Sequence, residues 1–158
     1  MIVNTSRDFT TIRYVVFLLL FAMKRTRTLE QKIAMRISRS KREVFLRKDF
    51  EDLGGYDQVG WCLKNLIKKK QLIKIGYGLY AKATISILNG SVIPRRGIGR
   101  ITREALSRLG VETAPSSGQR LYNSGKTTQV PTGRVVGVKQ HISRKIGYNG
   151  IYVTFERV

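Results

Sequence analysis

An α+β fold in two parts follows from three features of the 158-residue sequence. Residues 57–70 divide into an apolar and a polar face at helical spacing, directly behind a Gly54-Gly55 turn. Two short β-prone runs, 72–75 and 79–81, come next and are joined by Gly76-Tyr77-Gly78. Near the carboxyl end, apolar and polar residues alternate strictly on both sides of Asn149-Gly150, the strongest two-residue hairpin signal. A short helix, a turn, a second helix and a hairpin are what a winged helix-turn-helix requires, with the second helix in the major groove. The expectation is a winged helix-turn-helix over 23–83, a linker over 84–100, and a small α+β unit over 101–158 ending in an antiparallel sheet.

Charge narrows the class of partner. Thirty basic against ten acidic residues give a net charge of +20 and a pI near 10.8. Such a field draws polyanions, and nucleic acid is the commonest. The excess is spread over the body, with sixteen cations and six carboxylates in 24–83, and twelve and three in 84–158. Cys62 is the only cysteine. One cysteine builds neither a disulfide framework nor a thiolate zinc site, which fits a reducing cytosol.

The chain opens with an apolar extension over 1–22. The run from Tyr14 to Met23 is ten residues long, whereas a bilayer span needs roughly 20. Arg7 and Arg13 precede it as in a signal peptide, but no small-x-small cleavage site follows. Three readings stand for it: a mis-set start with translation from Met23, an apolar element packed on the body, and a targeting segment. Thr28-Leu29-Glu30-Gln31 is a capping box, and Leu29, Ile33 and Ile37 form one stripe of the helix it starts. Val44-Phe45-Leu46 is strand-like, and 47–53 reads as a short second helix stopped by Gly54-Gly55.

The helix over 57–70, with Asp57 as its cap, carries the candidate site. Val59, Cys62, Leu63, Leu66 and Ile67 share its apolar sector. Trp61, Lys64, Asn65 and Lys68 lie opposite, with Gln58 at the amino end. Gln58 and Asn65 have the amide chemistry that bridges N6 and N7 of adenine, and Lys64 suits guanine or a phosphate. Trp61 packs on a sugar or a thymine methyl, or covers a seam between domains. Arg47, Lys48, Lys68 and Lys69 suit phosphates, which position without specifying. Tyr56, Lys74 and Tyr77 complete the candidate surface, Tyr77 at the hairpin tip and Lys74 near its base.

Residues 28–83, above all DFEDLGGYDQVGWCLKNLIKKKQLIKIGYGLYAKA, resemble the amino-terminal winged helix of AbiE-type antitoxins. From Met23 onward the chain looks like a group of small bacterial proteins carrying that domain. The resemblance implies a cytoplasmic, DNA-binding repressor of its own operon. It also implies the antidote role of a type IV toxin–antitoxin pair, against a neighbouring nucleotidyltransferase-like toxin. Less chain follows the wing here than in the long AbiE antitoxins.

Beyond 84 the signals thin. Asn89-Gly90 and Pro94 to Gly97 mark turns, and the linker has room for one strand at Ile85 and Ile87; 101–109 is helical with Gly110 as its stop; 116–123 reads as one more short helix. At the end, Ile146, Tyr148, Ile151, Val153 and Phe155 share one face, and 134–138 is expected to extend that antiparallel sheet.

Catalytic and cofactor chemistry is not expected. Gly125-Lys126-Thr127 lacks the earlier glycine of a phosphate loop, and Gly97-Ile98-Gly99 lacks the third glycine of a dinucleotide fingerprint. His141, the sole histidine, reads as a surface residue, and neither metal, cofactor nor membrane contact is expected. The partners expected are double-stranded DNA of the protein's own promoter and the toxin. An RNA-binding or ribosome-associated role is the alternative, although Tyr77, Tyr80, Tyr122 and Tyr148 form no stacking motif. A third class is an adaptor whose carboxyl unit binds a partner protein, in which case deleting 84–158 would leave DNA binding intact.

Overall fold

The computed structural model describes residues 27–158, so the readings of the extension over 1–22 and of a start at Met23 lie outside the described residues. The described chain is mixed α+β.

Helix α1 (Leu29–Arg39) begins at the expected capping box. The Gln31 N–H donates to Thr28 Oγ1 at 3.3 Å, and the Thr28 N–H donates back to Gln31 Oε1 at 3.1 Å. Strand β1 (Val44–Leu46) follows, and 47–53 forms a 3-10 turn over Arg47–Phe50 rather than a regular helix. Helix α2 (Tyr56–Lys68) starts one residue earlier than expected, with Gly55 as its cap and no side-chain capping bond. Asp57 therefore lies in the first turn, where its charge complements the helix dipole. The helix stops short of Lys70, whose φ is 59°. Strands β2 (Leu72–Gly76) and β3 (Leu79–Ile85) then make the hairpin, with Gly78 at φ 67° in its turn.

The sheet order is β1-β3-β2, antiparallel throughout. Its alternation sorts side chains to two faces. Phe45 and Leu72 meet Phe50, Ile33 and Ile37 of α1, and Val59, Cys62, Leu63 and Leu66 of α2. Val44, Leu46, Ile73, Ile75, Leu79 and Ala81 belong to the other face and are buried too. They are covered by Ile101, Ala105 and Leu106 of helix α3 (Ile98–Arg108), by Val136 and Val138, and by Ile146 and Val153. Both faces of one small sheet are thus dry, and each large side chain buried there contributes about 1.5–3 kcal/mol.

The stretch expected as a linker is part of this sheet. Strand β3 runs on to Ile85, turns, and pairs with β4 (Val92–Pro94), Thr84 opposite Ile93. Helix α3 also closes the free edge of β1. Glu104 accepts hydrogen bonds from the N–H groups of Glu43 (2.8 Å) and Val44 (3.0 Å). One turn on, Arg108 donates to the Val44 carbonyl (2.8 Å) and pairs with both oxygens of Asp49 (2.7 and 2.6 Å). Side chains here do what a neighbouring strand would do.

The remaining elements are β5 (Thr113–Ala114), α4 (Ser117–Asn123), β6 (Val135–Val138), β7 (Gly147–Tyr148), β8 (Ile151–Tyr152) and β9 (Thr154–Arg157). Asn149 (φ 48°) and Gly150 (φ 77°) form the expected turn, with Tyr148 opposite Ile151. The wholly antiparallel end is corrected: β6 is antiparallel to β5 but parallel to β9. The chain changes partner between neighbouring residues. The Val153 N–H donates to Ile146 O at 2.9 Å, and the Thr154 N–H donates to Arg134 O at 2.8 Å. Alternation reads which face a residue takes, and that survives; it does not read which strand lies alongside.

Candidate nucleic-acid interface

Helix α2 is anchored by its buried face, so its outward stripe is held in place. Down the middle of that stripe run Asp57, Trp61, Lys64 and Lys68, all exposed. Trp61 has 64% of its surface open to solvent, a large apolar area to leave uncovered, and among the described residues no seam closes over it. Gln58 is exposed at the amino end.

The two flanks of the stripe are engaged within the protein. On the α1 side, Asn65 Nδ2 donates to Glu30 Oε2 at 3.2 Å, and Lys69 is ion-paired with the same carboxylate. The Lys69 ammonium, then the Asn65 amide, hold the Glu30 carboxyl below its ordinary range. Asn65 and Lys69 therefore join α2 to α1 in this state, which differs from the outward reading of both.

On the other flank, Arg47 lies across α2. Its guanidinium carbon stands 3.4 Å over the Tyr56 ring, and its Nη2 donates to the Tyr56 carbonyl at 2.5 Å. Gly60 makes room for it: a β-carbon there would stand 2.0 Å from Nη2. Arg47 thus differs from the free phosphate clamp expected, and Tyr56 is the plate beneath its head. Lys48, by contrast, is exposed and has no ion-pair partner among the described residues.

Beyond the helix, Tyr77 at the hairpin tip is 81% exposed, and Lys74 is exposed on the sheet face that carries α2. Lys82, near the hairpin base, is turned inward and donates to Ser40 O at 2.6 Å. Cys62 is buried beneath the stripe, and burial pushes its thiol upward, away from reactivity.

Several carboxylates are held in ion pairs with cations of other elements. Asp52 binds Arg36, Glu43 binds Arg95 and Arg96, Asp49 binds Arg108, and Glu112 binds Lys139. No carboxylate occurs between Asp57 and Glu104, so Asp57, in the first turn, is the one acid within α2 and the hairpin beside Lys64, Lys68 and Lys74. Asp49 and Asp52 thus hold arginines of other elements. Sequence reasoning also missed Glu30 as the anchor of Asn65 and Lys69, although Glu30 lies on the flank of the capping box it had singled out.

Gly125 (φ 70°) turns the chain after α4 rather than before a helix, which is not a phosphate-loop setting. His141 is exposed. Among the described residues, no group of His, Cys, Asp and Glu is placed to hold a metal ion. Among those residues, too, no helix is long and apolar enough to cross a membrane.

Residues 31–158 match a family described as a family of unknown function, DUF6088. No curated protein and no solved structure matches the chain.

Proposed function

The chain belongs to the DUF6088 family, and we propose that it is a winged helix-turn-helix DNA-binding protein that represses its own operon. In this reading α1, the 3-10 turn and α2 are the three helical elements, α2 enters the major groove, and the β2–β3 hairpin is the wing. The order of elements and the strand order β1-β3-β2 support it. One observation carries it: an exposed Gln58, Trp61, Lys64, Lys68 stripe on a helix whose opposite face is fully packed.

Gln58 and Lys64 read base edges, Trp61 takes a sugar or a thymine methyl, and Lys48, Lys68 and Lys74 hold phosphates. The three lysine contacts alone give a log–log salt slope of about −3. The resemblance to AbiE-type antitoxins extends the reading to a cytoplasmic antidote for a nucleotidyltransferase-like toxin, and an adjacent gene of that kind would support it.

The test is gel retardation of the fragment upstream of the gene, at about 150 mM salt, with bulk RNA as competitor. The reading expects retention of that fragment over both scrambled duplex and RNA. RNA that competes as well as the specific duplex would favour the ribosome-associated or RNA-binding alternative.

A further inference from the structure

Three places outside the α2 stripe stand out on the surface. The open groove between α1 and β3, lined by Arg27, Met35, Lys70 and Lys82, is basic, but Lys82 is held by Ser40 within it. The exposed Ile85, Ile87 and Leu88 at the β3–β4 turn form an apolar tip, and nothing in the structure indicates what covers it. The loop over 139–146 is different, because it touches the wing of the proposed reader.

Arg144 Nη1 donates to the carbonyl of Tyr77, the tip residue of the β2–β3 hairpin, at 3.3 Å. Beside it, the Lys145 carbonyl packs on Gly76 so closely that a β-carbon there would stand 3.1 Å away. Strand β7 continues that contact along β2. The turn after it is tied down as well, Asn149 Nδ2 donating to Val92 O at 3.0 Å. Arg144 and Lys145 are both exposed, and neither has a carboxylate partner among the described residues. No carboxylate occurs anywhere between Glu112 and Glu156. One hydrogen bond to Tyr77 leaves Arg144 with four further N–H donors.

We propose that this loop is a second arm of the nucleic-acid interface, in which Arg144 and Lys145 bind duplex phosphates beside the wing tip. The proposal rests on the duplex-binding reading above and adds to it a contact from the carboxyl part of the chain. Arg144 has two tasks: it braces the hairpin through the Tyr77 carbonyl and offers its remaining donors to a phosphate. Lys145 adds a point charge next to it. Neither reads sequence, so the arm strengthens binding to every duplex alike.

The experiment measures retardation of the upstream fragment and of a scrambled duplex across a salt series, using the full chain. R144A/K145A is compared with R120A/K126A, which removes the same charge from α4 and the loop after it. The arm predicts that R144A/K145A makes the salt slope shallower by about two. Between 50 and 200 mM salt, wild type then loses about tenfold more affinity than this variant does. Both duplexes weaken together, R144K/K145R keeps the wild-type slope, and R120A/K126A leaves the slope unchanged. Thermal unfolding of each variant confirms that it is folded. Wild-type binding with an unaltered slope in R144A/K145A overturns the arm and leaves the α2 reading standing. Equal loss in R120A/K126A overturns it in favour of a general field effect. A wild-type chain that retards no duplex overturns both readings.

Discussion

The two faces of the β1-β3-β2 sheet are buried to a similar degree by very different means. One face is covered by α1 and α2, which precede or lie within 30 residues of the strands they touch, and their contacts are side-chain ridges at helical spacing. The other is covered by α3 and by strands up to about 80 residues further on, with the sheet edge closed by Glu104 and Arg108. The first face sets the tilt of the exposed α2 stripe. The second fixes the sheet on which α2 and the hairpin stand, and it clamps the 3-10 turn ahead of α2 through Asp49. The difference teaches that the proposed reading head is mounted on a base supplied by the rest of the chain.

That comparison breaks most visibly on truncation. A chain ending at 83 leaves Val44, Leu46, Ile73, Ile75, Leu79 and Ala81 without cover. It is expected to lose its cooperative thermal transition by circular dichroism, whereas an independent domain would keep one. Next in size are single core truncations on opposite faces. Phe50→Ala should cost about 3–5 kcal/mol and Leu106→Ala about 2–5 kcal/mol. Both should shift one shared denaturant transition, and two separable transitions would split the faces into different folding units. Arg108→Met comes third, at about 1–3 kcal/mol, because it leaves the largely buried Asp49 carboxylate short of its partner.

The smallest effect sits on the α1–α2 flank. Glu30→Gln weakens the hold on Lys69 and frees it to reach a phosphate, so the salt slope should steepen by up to about one. The same carboxylates set the acid limb of stability. Glu30, Asp52, Glu112 and Glu156 are all held below their ordinary values, mainly by hydrogen bonds from Lys69, Arg36, Lys139 and Ser117. A carboxyl with a lowered folded-state pKa contributes stability above its unfolded value, which is lost as pH falls through the folded one. Thermal midpoints should therefore hold from neutrality to about pH 5 and fall below it, with a smaller fall in Glu30→Gln.

What could be read from the sequence divides along the same line. The capping box at Thr28, the buried set of α2 and the Asn149-Gly150 turn depend on residues close together in sequence, so periodicity and turn chemistry found them. The stripe around Trp61, Lys64 and Lys68 was legible for the same reason. Asn65, Lys69 and Arg47 were not, because their engagement depends on Glu30 and Gly60 in neighbouring elements. In the expected linker, Ile85 is in a strand, the end of β3, while β4 was missed because Val92-Ile93 is too short a run to stand out. The parallel β6–β9 pair was missed because alternation is blind to the neighbour.

The most direct test of the proposed reading head is quantitative retardation of the upstream fragment by W61A/K64A/K68A in the full chain. These side chains are exposed, so the variant should fold with a near-native thermal midpoint. The account predicts that its preference for the upstream fragment over scrambled duplex collapses and that its salt slope becomes shallower by about one, the Lys68 contact. A folded variant that still selects that fragment with the wild-type slope would contradict it.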